Sequence, residues 1–294
     1  MPKITVSRHG LTAAIPPSMD DDRKIGGLRG TVGGWSTAAT RRNTQFLRCI
    51  DETKLTGAGV ALTLTIRECP PTAEEWHRLR RTWIKRMERS GMIRLHWVTE
   101  WQRRGVPHLH CAMWFPDAYW IVPPINAWLE LAAPYGAGIK GQHGKVIDGP
   151  VGWFQYLAKH AARGVKHYQR SKEGIPEAWQ QRTGRVWGHV GDWPLQKPIE
   201  IHLEGREGDS GFFVFRRMVR AWRIADARAS GDPRRIVLAR RMLNVHRSRS
   251  ETHPVSEWIT QSDARIMLEL LAGQGYVVKK YEKAAKPATA PVGA

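Results

Sequence analysis

The chain is short of cysteine, of acidic charge and of long apolar runs. Its three cysteines, Cys49, Cys69 and Cys111, are scattered and odd in number; this excludes a disulfide scaffold and fits a reducing compartment. No apolar run reaches the ~18 residues that a membrane-spanning helix needs. The first segment, MPKITVSRHGLTAAIPPSMDDD, lacks an apolar core followed by a cleavage site, so a cytoplasmic location is expected. No Walker pattern occurs, which argues against a fused helicase, and no Cys/His spacing suits a zinc ribbon. Only 27 Asp and Glu oppose 46 Lys and Arg, leaving a net charge of +19 over 294 residues. A field of that sign attracts polyanions, and nucleic acid is the foremost of them. What remains is ordinary for a globular protein, 41% hydrophobic and 25% charged, apart from 14 tryptophans. Most of these belong in a core, and exposed ones could stack on unpaired bases.

Residues 1–45 are rich in Gly, Ser, Thr and charge without sustained periodicity, and read as a flexible N-terminal arm. Val60–Arg67 (VALTLTIR) reads as a buried strand. Thr72 and Glu75 form a capping box, Trp76, Leu79, Trp83, Ile84 and Met87 make an apolar stripe, and Gly91 stops the helix. From Ile93 to Phe115 the odd positions are apolar and the even ones mostly polar on both sides of Arg103-Arg104-Gly105. That is an antiparallel hairpin, and a three-residue loop ending in Gly pairs Gln102 with Val106, Glu100 with His108 and Val98 with His110. Further helices are expected at Pro123–Ala133, Val151–Arg163, Phe212–Ala229, Pro233–Arg247 and Ser262–Gly273. Short strands are expected at Lys145–Ile147 and Pro198–Leu203, and mostly irregular structure over 164–198. The Lys/Ala/Pro tail at 281–294 reads as disordered.

His108 and His110 stand at alternate positions of one strand, so both imidazoles project to one face. Glu100 faces His108 across the hairpin, where opposed Cβ atoms are ~5 Å apart. Two imidazoles and a carboxylate suit a divalent ion with open positions. His96 lies on the same face, as a group behind the ligands or as polar surface. Tyr156 and Lys159 stand three apart on a helix, so phenol and ammonium are neighbours. A cation there favours phenolate, and a tyrosine nucleophile can form a phosphotyrosine bond that conserves the energy of the phosphodiester.

The strand LTLT (Leu62–Thr65), the motif RGVPHLHCAMWF (Arg104–Phe115) and YLAKH (Tyr156–His160) occur in that order. As a set they resemble the HUH endonucleases, specifically the rolling-circle replication initiators of small plasmids and single-stranded-DNA phages, over roughly residues 55–205. The resemblance implies an α+β fold, with an antiparallel sheet of the RRM/ferredoxin-like type flanked by helices. It implies Mg²⁺ or Mn²⁺ on Glu100, His108 and His110, and Tyr156 attacking the scissile phosphate and keeping the 5′ end, with Lys159 assisting. Two-tyrosine members carry a second Tyr four residues earlier; here that position is Gly152, so the chain resembles the single-tyrosine class. A second protomer or an activated water is then left to end a replication round.

On this reading residues 46–205 are the endonuclease domain and 206–280 a basic helical C-terminal region. Single-stranded and origin DNA are the expected partners, contacted by Arg103, Arg104, Arg163 and Lys166. A host helicase and polymerase, and a second copy of the chain, complete the expected partners; no membrane is involved. A transposase of the same chemistry, a non-catalytic DNA-binding repressor and an RNA-binding protein of RRM type are the competing readings. The RNA-binding reading needs outward aromatics where this sequence has His and Glu.

Overall fold

The computed structural model describes residues 2–14, 33–116, 121–162, 168–204, 211–247 and 255–281, the side chains of 159–162 and 241–247 excepted. The chain forms two compact units, one of residues 24–196 and one of residues 1–23 with 197–294. Together they hold two five-stranded antiparallel sheets and helices, an α+β fold.

The expected N-terminal arm is corrected at once. β1 (Lys3–Ser7) and β2 (Gly10–Ala14) pair as a hairpin, and their Ile4, Val6, Leu11 and Ala13 are buried. KITVS and GLTAA do alternate, but each run is so short that its flanking Gly, Ser and Thr hide the period. The arm's predicted end is wrong as well, because α1 (Thr37–Cys49) begins inside it, with Ser36 Oγ accepting from Ala39 N at 3.1 Å.

The unit of residues 24–196 is built on the sheet of β3 (Ala58–Thr65), β4 (Arg94–Trp101), β5 (Pro107–Phe115), β6 (His143–Val146) and β7 (Trp187–Gly191). The strand order is β6-β3-β5-β4-β7, so the hairpin β4–β5 lies near its centre. α2 (Ala73–Arg89) starts where the capping box requires, with Thr72 Oγ1 accepting from Glu75 N, and Gly91 takes the left-handed conformation (φ 88°) beyond its end. All five residues of its apolar stripe are buried. α2 packs with α3 (Val122–Leu131) on the odd-numbered face of the hairpin. There Trp128 meets Trp76 and Trp83 edge to face, and Trp76 Nε1 donates to Thr99 Oγ1.

The even-numbered face is covered too, by α1 and by α4 (Pro150–Ala162). Phe46 of α1 stacks on His96 and on His189 of β7, while Phe154 of α4 packs on Trp114. Every residue of β4 and β5 is therefore buried, the polar ones included. β7 falls within 164–198, where irregular structure was expected. Its glycines are poor strand formers, yet Gly188 lets Trp97 lie against the backbone, since a Cβ there would meet Trp97 Cζ2 at 2.8 Å. The short α5 (Glu177–Gln180) precedes it and buries Trp179.

The second sheet runs β10-β8-β1-β2-β9, with β8 (Ile199–Glu204), β9 (Val255–Glu257) and β10 (Val277–Lys280). Its core joins Ile4, Val6 and Leu203 to Phe212, Phe215 and Val219 of α6 (Gly211–Ala229) and Leu271 of α8 (Gln261–Gly273). α7 (Pro233–Arg247) follows α6 across Gly231 (φ 64°). The C-terminal region is thus not purely helical as expected: two of its short segments complete a sheet whose middle strand comes from the N-terminus. The tail at 281–294 lies outside the described residues beyond Tyr281.

His96 is fully buried, with its Nε2 on Asn43 Oδ1 at 2.8 Å. Burial, reinforced by His189, lowers its pKa from 6.5 to about 3. Its neutral form is the folded form, so the stability it contributes is complete above pH 6.5 and is lost as pH falls toward 3. Denaturant titrations should show a loss of ~2 kcal/mol between pH 6.5 and 5 from this ring alone. In His96→Gln that slope is smaller, and equal slopes in the two proteins would contradict the assignment.

Candidate metal centre and nucleophile

The hairpin positions the site. The register pairs Glu100 with His108 and Val98 with His110, and Gln102 N donates to Val106 O at 2.9 Å across a turn closed by Gly105 (φ 76°). These are the pairings that the alternation and the three-residue loop predict. Both imidazoles and the carboxylate consequently share one face. His108 Nε2 and His110 Nε2 are 2.9 Å apart, His110 Nε2 is 3.7 Å from Glu100 Oε2, and one ligand atom from each residue lies within 4.8 Å of the others.

Neighbouring strands orient this set. Thr63 of β3 stands opposite His110, and its Oγ1 meets His110 Nδ1 at 2.9 Å. A His110 that donates its Nδ1–H to this hydroxyl presents the Nε2 lone pair to the cluster. Burial lowers the His108 pKa from 6.5 to about 4, against the pull of the Glu100 backbone, so the imidazole is neutral and able to ligate at physiological pH. Glu100 Oε1 accepts a hydrogen bond from Arg170 Nε at 2.9 Å and lies 2.8 Å from Nη2 as an ion pair, and neither side chain is exposed. Trp35 lies against the Arg170 guanidinium, 3.8 Å from its carbon, and anchors itself by donating Nε1 to Thr99 O. The carboxylate is held by one oxygen while the other faces His110.

α4 brings Tyr156 to this cluster. Phe154, Leu157 and Ala158 are buried and seat the helix, which leaves Tyr156 on its other side, 37% exposed. The phenol ring stands edge-on to His110 with centroids 5.9 Å apart, and Trp153 stacks on it at 4.8 Å. Lys159 belongs to α4, but its side chain lies outside the described residues, as do Arg163 and Lys166 altogether. Arg103 lies over the ring of Tyr168, and Arg104 donates to the carbonyls of Ile66 and Arg67 and to Gln102 Oε1. Arg104 thereby ties the hairpin turn to the chain leaving β3. His96 stands apart from the ligand set, engaged with Asn43 and Phe46.

Two members of the site escaped the sequence reading. Thr63 was legible in principle, since it lies in the LTLT strand and pairing that strand with β5 puts it beside His110. Arg170 carried no local signal: it sits in an irregular stretch, 70 residues from its partner.

The arrangement fits a divalent ion. The donor set is hard-to-borderline, two of its members are fixed by hydrogen bonds from behind, and the phenol stands beside it.

The family model described as replication-associated protein ORF2/G2P matches residues 59–189, a span that holds Glu100, His108, His110, Tyr156 and Arg170. A provisionally named replication protein of Xylella fastidiosa (strain Temecula1), PDa0002, is 58% identical over 262 residues, covering 88% of this chain and 99% of the relative. A second from strain 9a5c, XF_b0001, is 54% identical over 282 residues, covering 95% and 99%. The replication-associated protein G2P of Pseudomonas phage Pf3 is 48% identical over 272 residues, covering 92% and 96%. No solved structure matches the chain.

Proposed function

The chain belongs to the replication-associated protein ORF2/G2P family, and from that premise we propose that it initiates rolling-circle replication by nicking and rejoining single-stranded origin DNA through a 5′-phosphotyrosine. The observation that carries this reading is the phenol of Tyr156 standing against His110 of the buried Glu100–His108–His110 cluster. Glu100, His108 and His110 would hold Mg²⁺ or Mn²⁺, whose charge polarises the phosphate under attack.

The residues of the chain divide the rest. Tyr156 Oη bonds to phosphorus as the bond from phosphorus to the 3′ oxygen breaks; the electron pair stays on that oxygen, which takes a proton and becomes a 3′-OH for a polymerase. Tyr156 loses its proton to solvent, and Lys159, one turn further along α4, stabilises the phenolate. Attack by a 3′-OH on the phosphotyrosine reverses the step and joins strands. Gly152, one turn before Tyr156, bears no side chain and has open space around it, so a single nucleophile acts. Arg103, Arg163 and Lys166 would hold the strand, whereas the donors of Arg104 are directed to the Ile66 and Arg67 carbonyls and to Gln102 Oε1.

The test is a denaturing gel of the purified protein with single-stranded DNA from its own replicon. A denaturant-resistant adduct that needs Mn²⁺ and vanishes with EDTA is expected. Cleavage mapped to element ends would turn the reading toward a transposase. DNA binding that ignores metal and yields no adduct would sink it in favour of a repressor.

A further inference from the structure

On the face of the sheet opposite the metal cluster, a cavity of about 580 Å³ lies between α2 and the edge strand β7. Its floor holds an arginine in an unusual position. Arg80 is only 5% exposed, stacks its guanidinium on Trp97 at 3.6 Å, and donates Nη1 to Arg185 O at 3.3 Å. Its Nε has no hydrogen-bond partner among the described residues, and no carboxylate there pairs with it. Burial lowers its pKa to about 9, so the group still carries its charge at neutral pH. A buried charge without a counter-ion is costly, and an anion entering from outside removes that cost.

The rim repeats the sign. Arg81, Lys85, Arg182 and Arg185 line the opening and are exposed; Glu74 and Glu88 oppose them, and Glu74 already faces Arg182 at 3.6 Å. His77 adds no charge, because burial and Arg80 lower its pKa to about 4 while its Nε2 donates to Thr183 O. A single buried donor under a row of exposed cations suits an extended polyanion better than a lone phosphate.

We propose that this pocket binds the phosphodiester backbone of DNA, seating one phosphate on Arg80 and its neighbours along the rim. The inference rests on the reading of the chain as a DNA-handling protein. It adds a second contact tract, away from the strand at Tyr156, whose role is to position DNA rather than to read its bases.

The test separates the two. Anisotropy of labelled poly-dT is measured in EDTA on a Tyr156→Phe background, so that nicking does not enter. Arg81→Ala/Arg185→Ala should weaken binding by roughly tenfold and lower the slope of log K against log salt by about 1.4. Arg80→Met should weaken it comparably with the fold intact by circular dichroism. Arg78→Ala/Arg89→Ala removes the same charge from exposed positions of α2 outside the cavity and should have a clearly smaller effect. Equal losses in the two double variants, or none in either, would overturn the pocket. Inorganic phosphate raising the melting temperature of the parent chain but not of Arg80→Met, against chloride at equal ionic strength, with DNA affinity unaltered, would overturn the backbone assignment in favour of a free phosphate. A missing adduct in the earlier gel, with the pocket-specific loss present, refutes the nicking reading alone.

Discussion

Tyr156→Phe should abolish the covalent protein–DNA adduct while the protein stays folded and still binds single-stranded DNA. The expected loss of cleavage is at least roughly 10⁴-fold, the scale on which removing a nucleophile acts. The substitution is suited to the question because it deletes one oxygen. The ring keeps its stacking on Trp153 and its edge contact with His110, and the side chain is not a core element, being 37% exposed. Melting temperature and DNA affinity near those of the parent chain would therefore assign the loss to chemistry. An adduct that persists in Tyr156→Phe would mean that another residue is the nucleophile, and α4 would then only shape the site. His108→Ala/His110→Ala provides the complementary case: the adduct is lost, and Mn²⁺ no longer raises the melting temperature.

The second large effect is expected at Arg170, through stability rather than chemistry. The Glu100–Arg170 pair has no exposure on either side chain. Removing one partner of such a pair leaves the other as a buried, uncompensated charge, at a cost of about 3–5 kcal/mol. Arg170→Met keeps the apolar volume against Trp35 and deletes the charge, so chemical denaturation in EDTA should show that loss. Mn²⁺ should then recover part of it and raise the melting temperature more in Arg170→Met than in the parent chain, since a cation beside Glu100 replaces the one removed. If Arg170→Met is as stable as the parent in EDTA, the pair does not hold Glu100 and the carboxylate owes its position to the strand alone. The double variant Glu100→Gln/Arg170→Met removes both charges and should be more stable than either single change in EDTA, because neither partner is then left unpaired.

The parts of this protein legible in its sequence are those whose cause is local. The capping box and stripe of α2 depend on spacings within one helix, and the structure returns them residue by residue. The β4–β5 register depends on a period of two and on a loop that admits one pairing, so Glu100 opposite His108 follows from about twenty consecutive residues. From these, two imidazoles and a carboxylate on one face follow by geometry. The basic charge, +19, likewise needs no fold to be read.

What the tertiary structure decided has a common cause: partners brought together over long separations, with no pattern in either segment to announce it. The hairpin of Lys3–Ala14 becomes a strand pair because β8, from residue 199 onward, and β9 pair with its edges while α6 and α8 cover its apolar side chains; alone it is a short run of mixed residues. β7 is a strand because β4 has an open edge and Gly188 makes room for Trp97, not because WGHVG favours extension. Arg170 meets Glu100 only when the irregular stretch before β7 folds back over the hairpin. Tyr156 reaches His110 because α4, seated through buried Phe154 and Leu157, lies over the face of β5 that carries His110 and Trp114. The sequence by itself determined which side chains could ligate and which could attack, since residue type and strand or helix period set both. Whether the phenol of Tyr156 stands beside the two imidazoles, and what holds the Glu100 carboxylate, was decided by packing between segments far apart in the chain, where burial of apolar faces outweighs any local preference.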